Sequence, residues 1–121
     1  MIKKTKIGLI QSKSLGTIQS NIDLAIKNIK KAAKKKAKII CLPELFLTNY
    51  FCQTESHSNF KLAEKIPGKT SKIFCDLAKE LNIVLNITLF EKKTSGFYHN
   101  TSIIIGENGK ILSKYRKMHI P

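Results

Sequence analysis

Two short apolar runs bracket a segment whose apolar residues fall at helical spacing, and this arrangement restricts the fold more than any other feature of the chain. The first run lies within Thr5 to Gln11 and contains Ile7, Leu9 and Ile10; the second, Ala37 to Leu42, contains Ile39, Ile40 and Cys41. Between them Ile22, Ala25, Ile26, Ile29 and Ala33 recur every three or four positions, with lysines on the opposite face. Short continuous apolar strands suit a sheet covered on both sides, and a helix with one apolar stripe is what covers such a sheet. Strand, helix, strand in that order predicts a parallel pair joined by a crossover, the unit of an α/β fold. Ser20 followed three residues later by Asp23 has the form of a capping box and sets the expected helix start.

The pattern then repeats with a variation. Beyond a polar loop, Pro67-Gly68 predicts a turn, and Ile73, Phe74, Leu77, Ala78 and Leu81 outline a second amphipathic helix. Ile83 to Phe90 predicts a third strand. Ser102 to Ile105 and Lys110 to Tyr115 flank Glu107-Asn108-Gly109, a hairpin signal. The expected order is β-α-β-α-β-β-β, a parallel core with an antiparallel hairpin added late. No internal repeat, linker or second domain interrupts the 121 residues.

Composition narrows the function classes. A formal charge of +14 raises the question of a polyanionic partner, but the excess is nearly all lysine, with Arg116 the one arginine and no tryptophan. Nucleic-acid sites combine lysine with arginine forks and stacking aromatics, so a solvated lysine-rich surface is expected instead. Three cysteines, Cys41, Cys52 and Cys75, are odd in number and lack CxxC spacing, which argues against a disulfide framework and a structural zinc site and for a reducing cytoplasm. The apolar stretch Ile7 to Ile10 is too short for a signal peptide, and no segment has the length to cross a bilayer. His57, His99 and His119 lack metal-ligand spacing and no Gly-rich phosphate loop occurs, so neither metal nor nucleotide cofactor is expected.

Chemistry in open α/β sheets gathers beyond the carboxyl ends of the strands. Glu44 follows an apolar strand and Pro43, where partial desolvation is expected to raise its pKa and prepare it for proton transfer. Lys117 ends the last strand beside Tyr115, Arg116 and His119, where an ammonium could stabilise negative charge developing on a substrate oxygen. Taken singly, the first is as ordinary as any loop carboxylate and the second as any lysine of a basic tail; their combination and order carry the weight.

Leu42-Pro43-Glu44-Leu45-Phe46, followed by Tyr50-Phe51, resembles the segment bearing the catalytic glutamate of the nitrilase superfamily of carbon-nitrogen hydrolases. Tyr115-Arg116-Lys117-Met118-His119-Ile120-Pro121 resembles its catalytic-lysine segment, with supporting matches at Lys6 to Gln11, Ala32 to Ile40, Leu77 to Glu80 and Asn100-Thr101. The resemblance spans the chain. It implies an α/β fold, the amino-terminal portion of a four-layer α-β-β-α sandwich, with residues 1–121 a partial hydrolase domain that stops before the nucleophilic cysteine. It further implies Glu44 as general base, Lys117 as stabiliser of the tetrahedral intermediate, and a downstream cysteine that forms an acyl-enzyme. None of the cysteines present has that setting: Cys41 reads as a small buried hydrophobe, Cys52 as a loop residue and Cys75 as a helix residue. The isolated chain is then expected to be inactive, and a longer version to form homo-oligomers through its helical faces.

Within the superfamily, Leu45-Phe46, Tyr50-Phe51-Cys52-Gln53 and the closing heptapeptide look most like the N-carbamoylputrescine amidase branch. That implies a small-molecule amide or carbamoyl substrate with a cationic amine end, for which Tyr50 and Glu55 are the candidate binding residues. β-Ureidopropionase-like and ω-amidase-like branches share the glutamate and lysine motifs. A different class of reading is a non-catalytic half-domain that serves as a binding or scaffold protein.

Overall fold

The computed structural model describes residues 2–120. Seven main elements run β1 (Ile7–Leu9), α1 (Ile18–Lys34), β2 (Ile39–Cys41), α2 (Lys69–Leu81), β3 (Val84–Thr94), β4 (Phe97–Ile105) and β5 (Ile111–Arg116), the order expected. Two short 3-10 turns, Phe51–Gln53 and His57–Leu62, punctuate the long connection from β2 to α2. The strands form one sheet in sequence order, with β1, β2 and β3 parallel and β3, β4 and β5 antiparallel.

Sequential parallel strands joined by crossovers of one hand deliver successive helices to the same face of a sheet. The core follows that rule: Ile22 and Ile29 of α1 and Phe74 and Leu77 of α2 bury against Ile40, Leu85, Ile87, Leu89, Ile103 and Ile105. Gly8 marks a close approach of β1 to α1, since a Cβ there would lie 3.2 Å from the Ala32 Cβ and 3.3 Å from that of Ala37. Along β3 the alternation is regular, with Leu85, Ile87, Leu89 and Glu91 buried and Val84, Asn86, Thr88 and Phe90 partly open. The apolar runs of β1 and β2 suggested burial on both sides, yet among the described residues helices cover only one. Ile7 and Leu9 stand 58% and 80% exposed on the other. Cys41 alternates with the fully buried Ile40, so it too lies on the open face, half-buried rather than in the core.

The start of α1 and the extent of the β3–β4 hairpin differ from the sequence reading. The cap of α1 is Thr17, whose hydroxyl accepts the Ser20 N–H at 3.1 Å, because Gly16, at a φ of +95°, turns the chain one residue earlier. Ser20 is thus inside the helix, and Asp23 accepts from the Gln19 amide at 2.9 Å rather than closing a box. Helix α2 begins at Lys69, directly after Gly68, whose N–H donates to the Ser71 hydroxyl at 2.8 Å. The hairpin across Glu107-Asn108-Gly109 forms as expected, but a longer one precedes it. β3 runs past Phe90 to Thr94 and returns from Phe97 through Gly96, at a φ of +79°. Glu91-Lys92-Lys93 has the polarity of a strand end; it continues instead because Glu91 turns inward and finds cations on β5.

Candidate active site

Glu44 is held by a turn tied down on several sides. After β2, the Leu42 N–H donates to the Asn86 carbonyl at 3.1 Å, and the Leu45 N–H donates to the Thr88 hydroxyl at 2.8 Å. Leu45 takes a left-handed φ of +48°, which bends the chain so that Leu45, Phe46 and Leu47 bury while Glu44 faces the open side of the sheet. Phe46 packs edge-on against Phe74 at 5.3 Å, and buried Asn21 of α1 donates to the Leu47 carbonyl at 2.7 Å. The carboxylate therefore stands on a rigid base although its side chain is 42% exposed.

Lys117 reaches it from the far strand. Directly after β5, its N–H donates to the Asn100 carbonyl at 2.9 Å, and its Nζ lies 2.9 Å from Glu44 Oε1. Asn100 Nδ2 donates to the same oxygen at 2.7 Å. The two residues that sequence reasoning singled out, 73 positions apart, are thus in direct contact. They line one open cavity of about 560 Å³ with Asn86, Thr88, Asn100 and Ser102 as its polar floor.

The electrostatics correct one expectation. Lys117's hydrogen bond holds the Glu44 carboxyl below the ordinary range; partial burial pushes the other way, and Asn100 adds to the lowering. Glu44 in turn holds the Lys117 ammonium above its usual range. Desolvation alone was expected to raise Glu44, but a cation at hydrogen-bond distance outweighs shallow burial. An ion pair this exposed is screened by solvent and contributes little to stability.

Tyr50 and Glu55 part company. Burial, followed by Cys52 and Glu44, pushes the Tyr50 hydroxyl upward, although Tyr50 is not among the residues that line the cavity of Glu44 and Lys117. Glu55 lines a neighbouring concavity of about 490 Å³ with Phe51, His57, Phe60 and Phe90, not the cavity of Glu44. The two hollows adjoin, because Phe90 pairs across β3 and β4 with Asn100. Phe51 and Phe90 pack at a tilt with ring centroids 4.9 Å apart and Phe60 and Tyr98 likewise at 4.4 Å, an aromatic wall that sequence reasoning did not assign. Its signal was present in the alternation of Thr88 and Phe90 with buried Ile87 and Leu89; the same alternation marks Asn86. Among the described residues no three His, Cys, Asp or Glu side chains gather as metal ligands would.

The chain matches the carbon-nitrogen hydrolase family over residues 6–121. It is 36% identical over 119 residues to an N-carbamoylputrescine amidase of rice, Oryza sativa subsp. japonica, covering 98% of this chain and 39% of that protein. With an omega-amidase of Xenopus laevis it shares 35% over 117 residues, 97% of this chain and 41% of the other. The crystal structure of a carbon-nitrogen hydrolase from Helicobacter pylori G27 superposes with a TM-score of 0.91 at 34% identity, over 97% of this chain and 40% of that one. Saccharomyces cerevisiae Nit3, a member of branch 10 of the nitrilase superfamily, gives 0.74 at 31% identity, over 95% of this chain and 44% of that one. The chain spans about two fifths of the length of these relatives. With its motifs, fold and relatives in agreement, it belongs to the carbon-nitrogen hydrolase family of the nitrilase superfamily and carries part of the nitrilase-type α/β sandwich.

Proposed function

We propose that Glu44 and Lys117 are the proton-transfer and oxyanion-stabilising groups of an amidase whose nucleophile is a cysteine of a longer protein. The observation that carries this reading is the 2.9 Å contact between Lys117 Nζ and Glu44 Oε1 on the open face. Glu44, held as a carboxylate at neutral pH, takes the proton of the thiol, and the thiolate adds to the carbonyl or carbamoyl carbon. Lys117 stabilises the negative charge that collects on the former carbonyl oxygen. As the C–N bond breaks, the nitrogen leaves with the proton Glu44 had taken. Glu44 then deprotonates a water molecule, which adds to the thioester and releases the acid and the free thiol.

For the substrate we favour N-carbamoylputrescine, cleaved to putrescine, carbon dioxide and ammonia. The resemblance to the rice amidase supports this choice, as does the adjoining hollow. Its lining combines Phe51, Phe60 and Phe90 with Glu55 and includes no lysine or arginine, in a chain with 22 of them. Aromatic faces and a carboxylate suit a cationic amine tail, whereas a tail ending in a carboxylate finds no lysine or arginine there. We place the enzyme in the cytoplasm, where three free thiols suit the redox poise, and infer a homo-oligomer joined through the helical faces.

Kinetics of the uninterrupted reading frame that contains this chain test the assignment. Glu44→Gln and Lys117→Met should each lower kcat/KM for ammonia release from N-carbamoylputrescine by at least about a thousandfold, with circular dichroism unchanged. Retention of activity within tenfold in both folded variants would remove Glu44 and Lys117 from the chemistry.

A further inference from the structure

We propose that Glu91, on the helix-covered side of the sheet, is the positioning residue that sets Lys117 and Asn100 against Glu44. The inference rests on the reading of Glu44 as the reactive carboxylate and concerns how its partners are held.

Glu91 is 2% exposed and fully occupied. Its oxygens accept from Thr101 Oγ1 at 2.7 Å, from Arg116 Nε and Nη2 at 2.8 Å each, and from Lys114 Nζ at 3.2 Å. A buried charge with this many partners is costly to assemble, and an apolar side chain of similar volume would join the strands with less desolvation. Its neighbours show what it adds. Thr101 and Arg116 are directly paired across β4 and β5. The residue before Thr101 is Asn100, and the residue after Arg116 is Lys117. Successive side chains along a strand point to opposite faces, so the two donors to Glu44 are the immediate chain neighbours of two donors to Glu91. Each face carries one carboxylate, and the two carboxylates grip the same pair of strands one residue apart.

Beside its ladder with β4, side-chain packing does little to hold β5. It is a six-residue edge strand with no fully buried side chain, and Leu112 and Tyr115 are mostly exposed. Its ladder with β4 breaks register once, between Ile104 and Ile105 near the turn, and then runs unbroken from Ile104–Ser113 to Thr101–Arg116. The fork ties that last pair to Glu91 on β3, across β4. Arg116 is the only arginine among 22 basic residues, and it occupies the position where planar two-point recognition of a carboxylate is used. A slip or twist of β5 that takes Arg116 off Glu91 carries Lys117 away from Glu44.

The test reads the geometry of the site without needing turnover. Carbon-13 NMR titration of the Glu44 carboxyl in this chain should move its midpoint upward, toward an ordinary glutamate, by at least about half a pH unit in Glu91→Gln and in Arg116→Lys. Arg116→Lys keeps the charge and loses only the fork, so it also carries the test if Glu91→Gln fails to fold. Glu91→Asp should recover part of the shift. A folded variant in which Glu44 titrates as in the parent chain would overturn the inference, and so would loss of fold in both, since Glu91 would then serve the sheet and not the site. Neither result bears on the kinetic test of Glu44 and Lys117, which stands by itself.

Discussion

The two faces of the sheet treat the same chemical group in opposite ways. On the covered face Glu91 is enclosed, and Arg116's hydrogen bonds, opposed by burial and helped by Thr101 and Lys114, bring its pKa to about 2. On the open face Glu44 meets one lysine and one amide, and its pKa falls less far. A buried charge must have all its partners in place, whereas a half-exposed one can spare an oxygen for a reaction. Glu44 Oε1 takes both hydrogen bonds, and among the described residues none is directed at its Oε2. Stability is thus concentrated on one side and the proposed chemistry on the other, with β4 and β5 common to both.

The sharpest way to break this comparison is to remove bulk from the covered side. Ile87 is fully buried between the helices and its sheet neighbours, so Ile87→Ala should cost about 2–5 kcal/mol in urea unfolding. A loss below about 1 kcal/mol would mean that the covered face is not where the chain's cohesion lies.

Acid sharpens it. Glu91's folded pKa of about 2 lies below the ordinary 4.5, so its pairing adds stability that is fully present above pH 4.5 and is lost as the pH falls through 2. The full difference is on the order of 3 kcal/mol, and Glu91→Gln should flatten that part of the profile while lowering stability at pH 7. Glu44 is also lowered, so its contribution has the same sign, but its exposure keeps that contribution small. Equal acid sensitivity in Glu91→Gln and the parent chain would place the titrating group elsewhere.

What could be read from the sequence was what local periodicity encodes. Ile22, Ala25, Ile29, Phe74 and Leu77 announce two helices with one apolar stripe each, and all five are buried on the face those stripes require. Glu44 and Lys117 were legible because their flanking residues resemble a family motif, and their contact follows from sheet order. Long-range pairing was not legible. Glu91 reads as the polar end of a strand until Arg116, 25 residues later, is seen beside it. The same blindness inverted the expected direction of the Glu44 shift, since the apolar strand before it is local and the ammonium beside it is not. Thr17 and Ser20 are equally good capping residues by type; the choice between them was made by the turn at Gly16.

The smallest expected effect tests the open face itself. Leu9 belongs to the same apolar run as Ile10 and has the composition of a core residue, yet it is 80% exposed where Gly8, its neighbour, is pressed against α1. A side chain already in water has little transfer free energy to lose, so Leu9→Ser should change the unfolding free energy by no more than about 0.5 kcal/mol. The comparison with Ile87→Ala is then one between two β-strand residues of similar volume, one on the open face of the edge strand β1 and one on the covered face of the central strand β3. If Leu9→Ser instead costs about 2 kcal/mol or more, the open face is buried in solution, and the contrast between a stabilising side and a reactive side would have to be drawn within the cavity of Glu44 rather than across the whole sheet.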